Sequence, residues 1–152
     1  MSVNRIQARV KAVPVSGHFQ LPASRLVFNK VGRDGSAKAN IIPDKQNVVY
    51  GRVFELSDES KSELDEVEGS GYICQQVEVV NNRNVCLSAY CYVAVDTGDN
   101  ILPFNWYLTH IIRGAKEACL PVDYIQLLSQ VNVVLDTDIK RCAVEMAIHE
   151  EP

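Results

Sequence analysis

Strand patterns fill most of the chain before residue 96 and helix patterns fill the part after it, and this order most limits the possible folds. Strands that precede a group of helices favour an α+β fold, a largely antiparallel sheet with helices set around it, over a doubly wound fold. With 152 residues the chain is most simply one domain, 1–152. The predicted strands are 25–29, 48–56, 72–80 and 85–95, and the predicted late helices are 103–118, 122–130 and 137–148.

The two ends of the chain carry weaker patterns. Residues 1–24 are predicted to be irregular, because Pro14, Gly17 and Pro22 interrupt their apolar residues. Residues 149–152, which read His-Glu-Glu-Pro, are predicted to form a frayed tail. Both segments therefore contribute little to the expected sheet.

Turn and cap residues set the remaining boundaries. Turns are predicted at 32–36 and 43–47, which are rich in Gly, Pro, Asp and Asn. Residues 81–84 are predicted to join the two strands of the clearest hairpin. Asp136 is predicted to cap the last helix, and His110 falls on an apolar helix face, where a hydrogen-bonded core histidine is the commoner outcome.

Charge and hydropathy exclude several classes of partner. The net charge is −4 and the 15 Lys and Arg residues are scattered, which argues against binding to nucleic acid. No apolar run reaches the roughly 20 residues of a membrane span, and the first residues lack the apolar core of a signal peptide. The sequence thus predicts a cytoplasmic protein that acts on neither a membrane nor a nucleic acid.

The cysteines predict neither a disulfide framework nor a zinc site. They are five in number, none forms a Cys-x-x-Cys pair and none stands at ligand spacing from a histidine. We expect them to be small buried or half-buried apolar residues without a catalytic base beside them. They are Cys74, Cys86, Cys91, Cys119 and Cys142.

The segment 57–72 is the most informative one for function. Ser57 suits a helix N-cap and Gly69 suits the residue that ends the helix. At about 100° per residue, Glu68 shares the face of Leu64. Burial and the negative end of the helix both raise the pKa of a carboxyl placed there, which suits a general acid or base. The same position also suits a glutamate that turns to solvent or accepts N–H groups of the next loop.

The residues around this helix resemble a known family. Residues 64–69 read Leu-Asp-Glu-Val-Glu-Gly, and Gly71-Tyr72 follow. This resembles the Leu-Asp-x-x-Glu-Gly…Tyr signature of the γ-glutamyl cyclotransferase family. Residues 28–41, 49–54 and 106–124 are similar to further segments of that family in the same order, so the resemblance is collinear from about the first residues to Val131.

The resemblance implies a fold and a reaction. The fold would be a small mixed, mainly antiparallel β-barrel flanked by helices, with a pocket at its mouth. The reaction would release 5-oxoproline from a γ-glutamyl amide or dipeptide by intramolecular attack, with no metal or cofactor. By resemblance, Glu68 is the general acid/base, and Tyr72, Gly35 and Asn40 bind the small γ-glutamyl substrate.

One departure from the family supports a second hypothesis. Family members open with a strand and a Tyr-Gly-Ser-Asn turn that holds the polar end of the substrate, and this sequence contains no such turn. A truncated gene product, a misassigned start and a natural variant all fit this departure. A missing strand would leave a sheet edge exposed, through which a homodimer would form. The alternative function is therefore that of a non-catalytic protein of the same fold that binds a small molecule or a partner.

Overall fold

The structure is a computed structural model that describes residues 2–149, and it has an α+β architecture. Helix α1, which the sequence does not predict, comes first, and after it the predicted order is confirmed, with strands early, one helix between them and three helices late. Residues 150–152 of the predicted tail lie outside the described residues. The elements are α1 Val3–Gln7, β1 Val13–Pro14, β2 Phe19–Val31, β3 Ala37–Gly51, β4 Phe54–Glu55, α2 Asp58–Glu68, β5 Tyr72–Asn81, β6 Cys86–Ala94, α3 Asn105–Glu117, α4 Val122–Ser129 and α5 Ile139–Ala147.

Two antiparallel hairpins form the main sheet, in the strand order β3-β2-β5-β6. The β5–β6 hairpin pairs from Tyr72 opposite Ala94 to Val80 opposite Cys86, as predicted. The two hairpins are joined through β2 and β5 by only two residue pairs, at Phe19 and Gln20 of β2. A separate two-stranded sheet pairs β1 with β4. The mainly antiparallel sheet is thus confirmed.

The predicted closure of this sheet into a barrel is wrong. Among the described residues, neither β3 nor β6 has a second strand partner. The two end strands meet at Asn40, whose Oδ1 accepts a hydrogen bond from Ala94 N at 2.9 Å. The same Oδ1 accepts from Ile41 N at 2.8 Å. A side-chain amide therefore stands where a backbone ladder would close the barrel.

The prediction that residues 1–24 are irregular is also wrong in part. Ser2 Oγ caps α1 by accepting a hydrogen bond from Arg5 N, and β2 already begins at Phe19. Helix α1 packs Ile6 on Leu64 of α2, which supplies a tertiary contact that no local pattern showed. Buried contact with another element thus gives this segment a structure that its own periodicity does not predict.

The predicted turn at 43–47 lies within β3. The pairing of β2 and β3 shifts register between Pro22 opposite Val48 and Ser24 opposite Pro43, so that 44–47 bulge out of the ladder. Asp44 closes the bulge by accepting a hydrogen bond from Gln46 N. Because β3 is an edge strand, Pro43 can lack an N–H donor without breaking a second ladder. The turn residues were recognised correctly, but they bend the strand instead of ending it.

The late helices pack on the β2–β3 hairpin around a second apolar cluster that contains Ala115 and Leu128. His110 of α3 is buried, as expected for a core histidine, and its Nε2 lies 3.1 Å from Glu145 Oε2. Burial lowers the pKa of His110 to about 3. None of the helices within residues 2–149 is long and apolar enough to cross a membrane.

The cap of α5 differs from the prediction. Asp138 caps the helix by accepting a hydrogen bond from Arg141 N, while Asp136 lies two residues earlier. The carboxylate of Asp136 accepts hydrogen bonds from Trp106 Nε1 at 2.8 Å, Arg141 Nε at 2.6 Å and Asp138 N at 2.9 Å. Its side chain is fully shielded from solvent. Asp136 is therefore a tertiary anchor between α3 and α5.

The cysteines are more exposed than the sequence suggests. All five are free thiols. Cys74, Cys86 and Cys119 are exposed, and Cys91 and Cys142 are partly buried. The expectation of buried or half-buried cysteines is thus wrong for three of the five.

Candidate functional site

Helix α2 places Glu68 at its last position, beside an apolar cluster. Ser57 Oγ accepts a hydrogen bond from Ser60 N and so begins the helix, as predicted. Gly69 ends it with φ +64°, a conformation that glycine adopts without strain. Leu64 is buried against Ile6 on the same face. Glu68 therefore points inward with only 15% of its side chain exposed, as the helical period predicts.

The surroundings of Glu68 raise its pKa. Burial is the largest cause, because it disfavours the charged carboxylate. Arg9, Lys30 and Arg5 lower the pKa through their positive charges, but they do not outweigh burial. Within residues 2–149, Glu68 accepts one hydrogen bond, from Arg9 Nη1 to Oε1 at 3.1 Å. The carboxyl group is thus shielded from water and still has acceptor capacity for another partner.

Asp65, less than one turn earlier on the same helix, has the opposite environment. It is half exposed and forms a salt bridge with Lys61 Nζ at 2.6 Å. Tyr92 donates its hydroxyl hydrogen to Asp65 Oδ1 at 2.6 Å. These hydrogen bonds lower the pKa of Asp65. Of these two acids, only Glu68 has a raised pKa, a feature that is common among residues that exchange protons.

Two tyrosines near Glu68 hold the backbone of one residue of β3. Tyr72 donates its hydroxyl hydrogen to Ala39 O at 3.1 Å, and Tyr107 accepts a hydrogen bond from Ala39 N at 3.0 Å. Burial raises the pKa of both phenols, and the charge of Glu68 adds to this effect. The ammonium group of Lys30 lies 5.5 Å from the centre of the Tyr72 ring. The structure therefore brings Tyr72 and Glu68 into one neighbourhood.

The other two predicted substrate-binding residues have different surroundings. Asn40 is 3% exposed, and its Nδ2 donates to Asn29 Oδ1 at 3.0 Å while its Oδ1 joins β3 to β6. Gly35 lies in the β2–β3 turn with φ +77°, and its N–H donates to Gly32 O. The immediate contacts of Asn40 and Gly35 thus join strands and close a turn.

An apolar cavity of about 670 Å³ adjoins Glu68. Its wall includes Leu21, Ile41 and Val79 from the inner face of the sheet, and Phe54 and Leu64 from the segments that cover it. This volume lies within the range of small-molecule sites. Glu68 is therefore an ionisable group in the wall of a cavity large enough for a small ligand.

The cavity also reaches the open edge of the sheet. It contacts every residue from 87 to 92 of β6. Side chains of a strand alternate between its two faces, so contact with six consecutive residues means that the cavity runs along the strand edge. Within the described part of the chain, that edge has no strand partner. Unpaired backbone N–H and C=O groups thus border a mainly apolar cavity.

The sequence predictions did not include the cations around Glu68. Arg9 follows the short helix α1 and reaches Glu68 across the structure, 59 residues later in the chain. The signal available in the sequence was an arginine between the apolar residues Ile6 and Val10. The structure shows no group of three or more His, Cys, Asp or Glu side chains within residues 2–149 that would hold a metal ion.

The sequence and the fold are similar to those of known proteins, and the matching part of the sequence includes residues 64–72. The sequence profile of the AIG2-like family matches residues 48–128, more than half of the chain. A search of curated protein sequences gives no significant match.

Solved structures match the fold over most of its length. A structure described as gamma-glutamyl cyclotransferase has a TM-score of 0.81 and 22% identity, with 92% of this chain and 90% of that chain covered. The structure of an uncharacterized protein from Homo sapiens has a TM-score of 0.81 and 23% identity, with 92% of this chain and 90% of that chain covered. The structure of YkqA from Bacillus subtilis has a TM-score of 0.69 and 18% identity, with 80% of this chain and 46% of that chain covered. The chain therefore belongs to the AIG2-like family and has the fold of the gamma-glutamyl cyclotransferase structure.

Proposed function

We propose that the protein is a γ-glutamyl cyclotransferase-like enzyme that releases 5-oxoproline from a γ-glutamyl amide or dipeptide. The observation that supports this most is the environment of Glu68, a shielded carboxyl group with a raised pKa and one hydrogen bond, in the wall of a cavity of about 670 Å³. Family and fold agree with the proposal. The activity itself, and the role of each residue, belong to the proposal.

Glu68 would transfer a proton twice in this reaction. The α-amino nitrogen of the substrate attacks its own γ-carbonyl carbon, and the Glu68 carboxylate takes a proton from that nitrogen. The bond between the γ-carbon and the leaving nitrogen then breaks, and Glu68 returns the proton to the leaving nitrogen. The raised pKa makes the Glu68 carboxylate a stronger base in the first step, and the carboxylic acid formed there then donates its proton to the leaving nitrogen.

The residues around Glu68 would orient the substrate. Arg9, Lys30 and Arg5 create positive potential beside Glu68, which favours the α-carboxylate of a glutamyl group. Tyr72 would bind the substrate as well, since its phenol is close enough to Glu68 and Arg9 for their charges to affect its pKa. Gly35 and Asn40 remain predictions from resemblance. The proposal includes a cytoplasmic location, which the five free thiols favour, and fluorescence microscopy of a tagged full-length chain tests it.

The test is 5-oxoproline release from γ-glutamyl peptides and amides by the wild type and by Glu68→Gln. The amide has nearly the shape of the carboxyl group but cannot accept the proton, so release should fall by at least about 100-fold. Glu66→Gln is the matched control, because it makes the same change at an exposed position of the same helix outside the cavity wall and should retain most of the activity. Equal release by Glu68→Gln and the wild type would contradict the role of Glu68.

A second candidate function is binding without catalysis. The unpaired edge of β6 beside an apolar cavity favours it, since such an edge pairs readily with another strand. In this case the chain would form a homodimer through the open sheet edge or would hold a small molecule without turnover. Sedimentation equilibrium of the wild type, together with the product assay, separates the two functions. A monomer that releases 5-oxoproline contradicts the second candidate.

A further inference from the structure

Glu68 lies at the boundary between two chemically different surroundings. On one side, Arg9 Nη1 contacts Glu68 Oε1 at 3.1 Å, and Lys30 and Arg5 are close enough to lower the pKa of Glu68. None of these three cations lines the cavity. On the other side, the cavity wall next to Glu68 includes the apolar residue Leu64. These three cations thus interact with Glu68 without being part of the mainly apolar cavity wall.

Most of the cavity wall is apolar, and two of its charged residues contact other parts of the chain. Lys61 forms a salt bridge with Asp65 at 2.6 Å, and Arg52 donates a hydrogen bond to the backbone oxygen of Glu117. A ligand in the cavity therefore meets mainly aliphatic and aromatic side chains. A polar or charged ligand group would lose its hydration against these apolar side chains, whereas an apolar group gains from leaving water.

A γ-glutamyl compound has a comparable charged end and apolar end when it releases an apolar amine or an amino acid with an apolar side chain. Its glutamyl end carries an α-carboxylate, which complements Arg9 and Lys30. Its other end is the amine or amino acid that the reaction releases. With the γ-carbonyl carbon at Glu68, the two ends would extend towards the cations and into the cavity.

We propose that the cavity selects the leaving group, and that the preferred substrates release an amine or amino acid with a large apolar side chain. This inference rests on the proposed function, because it assigns the cavity to one product of that reaction. No additional co-reactant is involved. The bond from the γ-carbon to the leaving nitrogen breaks, the bond to the α-amino nitrogen forms, and the proton passes between the two nitrogens through Glu68.

The experiment compares kcat/KM for four substrates of the full chain. Two have large apolar leaving groups, γ-glutamyl-phenylalanine and γ-glutamyl-leucine, and two do not, γ-glutamyl-glycine and γ-glutamyl-glutamate. We expect the apolar pair to react with kcat/KM higher by at least about tenfold, the usual effect of a few methylene groups in an apolar pocket. Equal values, or a preference for the glycine or glutamate compound, would overturn the inference and leave the proposed function intact.

A cavity-filling variant tests where this preference arises. Ala89 of β6 lines the cavity, and Ala89→Phe should reduce kcat/KM for the apolar pair by about tenfold or more, with a smaller effect on γ-glutamyl-glycine. Ala143 is exposed on α5, so Ala143→Phe is the matched control and should leave the ratio unchanged. An unchanged ratio in Ala89→Phe, verified as folded by circular dichroism, would place the preference elsewhere and overturn the inference.

Direct binding separates failure of the inference from failure of the proposed function. Calorimetric titration of Glu68→Gln with γ-glutamyl-phenylalanine and γ-glutamyl-glycine reports the preference without turnover. Tighter binding of the phenylalanine compound, combined with no 5-oxoproline from any wild-type assay, would support the apolar site and overturn the reaction. The absence of both binding and release would overturn both proposals.

Discussion

Glu68 and Asp136 are both shielded carboxyl groups, but their surroundings shift their pKa values in opposite directions. Asp136 accepts hydrogen bonds from Trp106, Arg141 and the backbone of Asp138, and these donors hold its pKa well below the usual range. Glu68 accepts one hydrogen bond, from Arg9, and burial raises its pKa. The supply of donors, and not burial alone, decides which form of a shielded acid is stable.

The difference separates structural acids from acids suited to chemistry. An acid whose acceptor sites are filled stays ionised and anchors its neighbours, as Asp136 does between α3 and α5. An acid with spare acceptor capacity and a raised pKa can take a proton from a ligand and return it. Three predictions test this contrast, in order of decreasing expected effect.

The largest effect is expected from Asp136→Asn. The amide removes the charge that Arg141 pairs with and places an NH₂ group against donors, so Tm should fall by about 5 °C or more. The lowered pKa of Asp136 means that its stabilisation is complete above the normal carboxyl range and is lost as the pH falls through the lowered value. The difference from the wild type, measured by thermal unfolding, should therefore shrink in acid. An unchanged Tm at pH 7 would show that the donors do not stabilise the fold.

A smaller effect is expected from Arg9→Met. Removing this cation takes away a positive charge that opposes the effect of burial, so the pKa of Glu68 should rise further. The acid limb of the pH profile of kcat/KM should then move to higher pH. Lys45→Met, on an exposed part of β3, is the control and should leave the limb in place. A carbon-13 NMR titration of the Glu68 carboxyl group gives the same pKa without turnover, and an unshifted value would refute the role of Arg9.

The smallest effect is expected in the stability of Glu68→Gln. The raised pKa means that Glu68 contributes most to stability when protonated, below its usual value of 4.5, and that this contribution is lost as the pH rises through the raised pKa. The neutral amide should therefore raise Tm at pH 7 by no more than about 2 °C. The gain should vanish below about pH 4. A lower Tm at pH 7 would show that the ion pair with Arg9 outweighs the burial of the charge.

Elements whose boundaries depend on neighbouring residues could be predicted from the sequence. Ser57 and Gly69 delimit α2 because both act within one helical turn, and the inward direction of Glu68 follows from its spacing to Leu64. The β5–β6 hairpin was predicted for the same reason. The period of a helix can therefore position a candidate acid, while its role stays a prediction.

Long-range contacts decided what the sequence left open. Arg9 reaches Glu68 over 59 residues, and Trp106 reaches Asp136 over 30. Pro43 predicts a turn because proline has no N–H group to donate to a neighbouring strand. In the edge strand β3 that donor is not needed, but the position of a strand in the sheet cannot be read from neighbouring residues. The open sheet was likewise missed, because closure depends on the partners of β3 and β6.

The backbone ladder between the two hairpins of the main sheet is only two residue pairs long, and the side chains of Asn40 and Tyr72 add two hydrogen bonds between them. Each hairpin keeps its own ladder when the junction opens, so amide hydrogens of β5 and β6 should exchange as one cooperative unit and those of β2 and β3 as another. The cavity beside Glu68 has walls from both units. We therefore expect the size of the cavity to change with the relative orientation of the two hairpins. The range of ligands that it admits would then depend on this motion as well as on the side chains of its wall.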